Sequence, residues 1–211
     1  MKYPNAYAGI KKVFASQILH ILSTLFFFAS SMILVFDKEA ASWENFNPFF
    51  WASMGLLTAG VVLSVVAFIL QLVGLNRARR DERLFKKAMY FVIICAVCTV
   101  SLMFGSGMFG KIMAGIDEVS TLLIFVYIFI AVFNLADQLG DMGMQKKGKL
   151  ALLLVTVMFG VAFVLQIVMA FIPDLVEVVE NLAVLGTILE FIGYIVALLY
   201  IGAAKKMLAK A

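Results

Sequence analysis

Glu190 is the only charged residue inside the long apolar runs of this chain, and it falls in the run covering residues 181–204. An ionisable side chain in hydrocarbon costs roughly 2.5–3.5 kcal/mol, so such residues mark places where ions, protons or polar solutes are bound or moved. Counted from Lys205 at the helical rise, Glu190 lies about 22 Å into the membrane. Gln166, counted in the same way from Lys149, reaches a comparable depth. Two uses follow. A protonated Glu190 hydrogen-bonded to Gln166 would be purely structural, whereas a titrating or solvated Glu190 would couple to a proton, a cation or a substrate.

The other chemistry-bearing residues narrow the field. His20 is the only histidine, about 12 Å in from Lys12 by the same rise, and reads either as a hydrogen-bonded interior residue or as a proton relay. Cys95 and Cys98 have the spacing of a redox CxxC, but they fall in the middle of an apolar run with no further cysteine, and read as buried thiols. One histidine cannot supply an HExxH metal site, and no P-loop, GxSxG or Rossmann glycine pattern occurs. The sequence therefore predicts no enzyme, no cofactor and no metal site.

These residues sit in a chain of 211 residues that is 64% hydrophobic and 14% charged, where soluble domains carry about 25% charged residues. The apolar residues are gathered into six runs, 13–36, 50–76, 88–109, 119–136, 150–172 and 181–204. A run of about 20 apolar residues spans a hydrocarbon core as a helix. The runs are continuous, without the alternation of barrel strands. The first exceeds the length of a secretory signal core and predicts a retained signal anchor.

With the N-terminus inside, Lys2, Lys11, Lys12, Arg77, Arg79, Arg80, Arg83, Lys86, Lys87, Lys146, Lys147, Lys149, Lys205, Lys206 and Lys210 all face the cytoplasm, leaving only Lys38 and Lys111 outside. The outer connections are acidic: Asp37, Glu39 and Glu44, then Asp117 and Glu118, then Asp174, Glu177 and Glu180. This is the positive-inside pattern. It accounts for the net charge of +4 without nucleic acid, and it also suits anionic lipid. The fold class expected is an all-α integral membrane protein of six transmembrane helices, arranged as three consecutive helical hairpins. Both termini are expected on the cytoplasmic side of the cell (plasma or inner) membrane, in one polytopic domain over residues 1–211.

Each hairpin opens with a lysine pair (Lys11 and Lys12, Lys86 and Lys87, Lys146 and Lys147), and each returning helix carries a polar residue near its inner end: Gln71, Asn134 and Tyr200. That is the pattern of an internal duplication, and equally of any lysine-flanked hairpin. The first outer connection holds Trp43, Phe46, Phe49, Phe50 and Trp51, which fit an aromatic anchor at the headgroups or a lid over a substrate. The second, GSGMFGKIMAG, reads as a flexible glycine-rich connection.

Lipid gives helices no hydrophobic reason to associate, so stripes of small residues mark packing faces. In the second span Ser53, Gly60, Ala67 and Gly74 recur every seven residues, with Ser64 and Gln71 between them. In the sixth, Ala183, Gly186, Glu190, Gly193, Ala197, Tyr200 and Ala204 follow the same alternation. Ser16, Gln17, His20, Ser23 and Thr24 in the first span, and Tyr127, Ala131, Asn134, Gln138 and Asp141 in the fourth, predict polar faces turned inward.

In length and hydropathy the chain resembles the small substrate-binding subunits of energy-coupling vitamin importers. The resemblance implies an embedded solute-binding bundle and transfers no residue. Two functions fit the sequence. One is a transport or solute-binding component whose path is lined by Glu190, Gln166, His20, Gln17, Gln71, Asn134 and Tyr200. The other is a non-catalytic accessory or assembly protein binding another membrane protein, or a second copy of itself, through small-residue faces. The expected partners are the bilayer, a small solute or ion, or a membrane protein.

Overall fold

The computed structural model describes residues 2–36, 48–104, 107–171 and 176–211. Every regular element among them is an α-helix: α1 (Pro4–Phe36), α2 (Pro48–Ala78), α3 (Leu84–Phe104), α4 (Gly107–Gln138), α5 (Met142–Phe171) and α6 (Val176–Lys210). All six are long and apolar enough to cross a membrane, as expected of backbone that must satisfy its own hydrogen bonds in lipid. Pro4 and Pro48 open α1 and α2, the position where a missing N–H costs nothing.

The second outer connection is not a loop. Residues 107–115 of GSGMFGKIMAG belong to α4, which starts twelve residues before the run at 119. Glycine weakens a helix by about 1 kcal/mol per residue, yet the helix forms here although Met108, Phe109 and Ile112 are exposed. Lys111, Asp117 and Glu118 are thereby helical, and Glu190 is no longer the only charged residue carried on a spanning helix. Trp43 and Phe46 of the aromatic segment lie outside the described residues. Phe49 and Trp51 are exposed on the first turn of α2, while Phe50 is buried.

The chain divides into two compact units. The smaller, Ala15–Gln71, contains most of α1 and α2, which meet along a seam of matched heptads. Ser23 Oγ donates to the Gly60 carbonyl at 2.8 Å. Seven residues on in α1 and seven back in α2, the Ser30 and Ser53 hydroxyls lie 2.8 Å apart, and Ser30 Oγ also reaches the Ser53 carbonyl at 3.0 Å. Glycine is needed at 60: a β-carbon there would stand 2.8 Å from the Phe27 ring. The same register sets Ser16 opposite Ala67, whose methyl stands where Gly60 has none, and the buried Ser16 hydroxyl has no hydrogen-bond partner among the described residues. Ser53 and Ala67 are buried; Ser64 is half-buried and Gln71 buried. Thr24 departs from expectation. It is exposed, and its hydroxyl bonds back to the His20 carbonyl at 3.0 Å.

The larger unit comprises Met1–Phe14 and Leu72–Ala211. The start of α1 meets the end of α2 backbone to backbone at Gly9 and Gly74, where a β-carbon on Gly74 would lie 2.8 Å from the Gly9 carbonyl oxygen. Within this unit α3 packs on α4, α4 on α5 and α5 on α6, with a smaller contact between α4 and α6. The inward face of α4 is apolar: Ile124, Phe125, Ile128, Phe129, Ala131, Val132, Leu135 and Ala136 are buried. This corrects the expected polar face. Tyr127 and Asn134 are half-buried and Gln138 is exposed, because the chain fills its interior with the residues that pack most densely.

Short caps close one end of this unit. Asp81 Oδ2 accepts from the Ala6 N–H at 2.7 Å and caps α1. After α4, Gly140 takes a left-handed φ of 70° and Asp141 N bonds to the Ala136 carbonyl at 2.9 Å, a Schellman closure. Asp141 Oδ1 then accepts from Met144 N at 2.9 Å and starts α5. Lys2 N bonds to the Ala211 carbonyl at 3.0 Å and Tyr3 Oη to Gln138 Oε1 at 2.6 Å, so both termini meet beside the end of α4.

The seam makes a graded prediction. Ser23→Ala removes one interhelical bond and should lower unfolding stability in detergent by about 0.6 kcal/mol. Gly60→Leu, which forces a side chain into Phe27, should lower it by several times as much; equal losses in the two variants would refute the seam.

Candidate functional site

Extending α4 back to Gly107 carries two carboxyl groups alongside a third. Glu118 lies twenty residues before the end of α4, about 30 Å along the helix at the standard rise, and so toward the membrane face opposite the termini. Glu190 on α6 reaches the same level and is in hydrogen-bonding contact with Glu118. The expected partner, Gln166, has a side chain outside the described residues. Asp117, one residue earlier on α4, abuts Cys95 of α3; its Oδ1 is buried without a hydrogen-bond partner among the described residues.

Cys95 Sγ closes the α3 side of the cluster, 3.6 Å from both the Asp117 carbonyl and Thr121 Oγ1. Tyr194 stands within electrostatic range of Glu190, Asp117, Cys95 and Glu118. Its ring is fixed edge-on against Phe125 and Phe159, with centroids 5.5 and 5.3 Å away. Phe159 in turn fills the groove over Gly193, where a β-carbon would stand 2.6 Å from the ring. The small-residue face of α6 thus seats the aromatic wall beneath the carboxyl groups. Gly186, Gly193 and Ala197 are buried on it.

A hydrogen bond between two carboxyl groups requires one of them to carry a proton, because two carboxylates in contact repel in a medium of low dielectric. The cluster is suited to taking up and releasing a proton, or to exchanging it for a small cation. No group of three or more His, Cys, Asp or Glu arranged to hold a metal ion occurs among the described residues. Cys98 is 3% exposed and, like Cys95, a free thiol.

The remaining sequence candidates do not gather at this site. His20 is half-buried and interacts with Gln71, inside the smaller unit. Their side chains converge although the residues are staggered, since each Cβ tilts toward its own helix N-terminus and the two helices run opposite ways. Gln17 is 2% exposed, and its Oε1 has no hydrogen-bond partner among the described residues. Tyr200 packs edge-on against Phe129 with its hydroxyl beside Gly148. Asn134 is half-buried on α4.

Asp117, Glu118, Thr121 and Tyr194 were not sequence candidates. The two acids looked like part of a connection because glycines precede them. The available signal was spacing: Asp117 and Thr121, and Glu190 and Tyr194, are four residues apart and share helix faces. No protein-family model, no curated protein and no solved structure matches the chain.

The carboxyl contact predicts a pH response. Deprotonating the pair sets two negative charges against each other, so stability should fall as pH rises through its titration. Glu190→Gln supplies an amide donor to Glu118 and needs no shared proton. Its thermal midpoint should therefore vary less with pH than that of the parent protein; parallel pH profiles would refute the shared proton.

Proposed function

We propose that this multi-pass membrane protein is a small transport or solute-binding component, and that the Glu118 and Glu190 pair is its coupling site for a proton or a small cation. The observation that carries the reading is the carboxyl contact itself. Two ionisable groups on different spanning helices, walled by Tyr194, Phe125 and Phe159, are a costly arrangement to keep in a membrane unless their protonation is used. Their level, toward the face opposite the termini, suits loading from that side. The distribution of the basic residues supports cytoplasmic termini, and on this reading the loading face is extracytoplasmic in the cell membrane.

The alternative, an accessory protein docking through its small-residue stripes, has less support. Ser53, Gly60 and Ala67 on α2, and Gly193 and Ala197 on α6, are already buried within the chain. A partner membrane protein or a second copy would have to use other faces.

The test is thermal unfolding of purified protein against pH, the alkali cations and a panel of small polar solutes, since a ligand of the folded state raises the midpoint by mass action. The expected outcome is a midpoint shift with at least one of them that Glu190→Gln abolishes or strongly reduces. A parent protein indifferent to every ion and solute, or a response untouched in Glu190→Gln and Glu118→Gln alike, would overturn the reading.

A further inference from the structure

The segment joining α2 to α3 concentrates charge more than any other part of the chain. Residues 77–87 contain six cations, Arg77, Arg79, Arg80, Arg83, Lys86 and Lys87, against two carboxylates, Asp81 and Glu82. With both carboxylates counted the turn keeps an excess of four positive charges, and the hydrogen bonds of the carboxylates go to helix starts. Asp81 is committed to the start of α1, accepting from Ala6 N at 2.7 Å and Asn5 Nδ2 at 3.0 Å. Glu82 Oε1 turns to the first turn of α3 and accepts from Leu84 N at 3.2 Å.

The cations are also held in place. The backbone of the turn is closed by bonds from Arg80 N to the Arg77 carbonyl, Asp81 N and Glu82 N to the Ala78 carbonyl, and Lys86 N to the Arg83 carbonyl. Ala78, Phe85 and Ala88 are fully buried and anchor both sides of it. Arg77, Arg79, Arg80, Arg83, Lys86 and Lys87 are exposed. Two of the amines sit over aromatic rings at the mouth of the α3 span: Lys86 Nζ lies 5.7 Å from the Tyr90 centroid and Lys87 Nζ 5.5 Å from that of Tyr127. Tyr127 is stacked on Phe91, while Tyr90 is 49% exposed, as befits a ring at the boundary of headgroup and acyl chain.

We propose that this turn is a binding site for the headgroups of anionic phospholipids in the leaflet next to the chain termini. Arginines offer forked donors that match phosphate oxygens, and the two ring-supported lysines lie where the glycerol backbone of a lipid would sit. Because the turn both ends α2 and caps α1 through Asp81, bound lipid fixes the relation of those two helix ends. The neighbouring α4–α5 turn differs: Lys146, Lys147 and Lys149 there are accompanied by Asp137 and Asp141, and the charge is closer to balanced.

The test uses the full chain, stripped of lipid in a neutral detergent and titrated with phosphatidylglycerol or phosphatidylcholine in mixed micelles, with thermal unfolding as the readout. Phosphatidylglycerol is expected to stabilise and phosphatidylcholine not to, with the difference lost at about 1 M salt, where the screening length is about 3 Å. Arg79→Gln/Arg80→Gln/Arg83→Gln should weaken the phosphatidylglycerol response by about fivefold per charge removed. The matched variant Lys146→Gln/Lys147→Gln/Lys206→Gln should keep it. All six positions are exposed, so both variants should retain the parent's circular dichroism; if the arginine variant does not, the salt dependence of the parent decides. Equal loss in the two variants would show a diffuse attraction to basic charge and overturn the site. Stabilisation by poly-glutamate in phosphatidylcholine micelles as large as that by phosphatidylglycerol would also overturn it, by assigning the turn to an acidic polypeptide.

Discussion

Hydrocarbon offers no hydrogen bonds, so each polar group carried across a membrane must find its partner in the chain, and the hydroxyl groups of this protein show how. Ser23 and Ser30 are buried, and their hydroxyls cross to α2. Thr24, Ser31, Thr58 and Thr99 are exposed, and each turns back to the carbonyl four residues earlier in its own helix. The same functional group is used for association on one face and is hidden on the other. A hydroxyl on a lipid-facing surface is therefore no evidence of a polar path, which is why Thr24 misleads when helix faces are read from polarity alone.

The two units meet this constraint by different packing. In Ala15–Gln71 the helices approach through serine and glycine at heptad spacing, and polar bonds cross at two successive repeats, Ser23 with Gly60 and Ser30 with Ser53. Among α3 to α6 the contacts are apolar and aromatic, with rings set against glycines: Phe159 over Gly193 and Tyr200 beside Gly148. Phe125 meets Phe129, Phe159 and Tyr194 at once, so the centre of the α4 face is an aromatic knot. The carboxyl contact between Glu118 and Glu190 lies at the edge of this knot, beside Tyr194.

The spanning helices and the α2 stripe were legible in the sequence because hydropathy and a seven-residue period are local signals. Glu190 was legible too, since one charge in an apolar run is conspicuous. Its partner was not. Glu118 lies within two residues of the run beginning at 119, and the glycines before it imitate a loop, whereas the helix starts at Gly107. The inward face of α4 was misread for a related reason. Polar residues recur along one side of it, but ring packing against α5 and α6 decides which side is buried, and no spacing rule within a single helix encodes that choice.

Carboxylates meet two fates in this chain, and the difference ties the two ends of the larger unit together. At the end bearing the termini, Asp81, Glu82 and Asp141 are drawn to helix N-termini, where free N–H groups and the helix dipole favour negative charge. Glu118 and Glu190 lie far from any helix start that could do the same, and they turn to each other. Capping turns the oxygens of an acid to backbone N–H groups, and the α2–α3 turn keeps an excess of positive charge even with Asp81 and Glu82 counted. Pairing instead makes an acid dependent on a proton. The cations exposed at one end and the proton held toward the other thus have a common origin in where the helices begin, and moving the start of α4 by three turns would separate Glu118 from Glu190 without altering a single apolar residue.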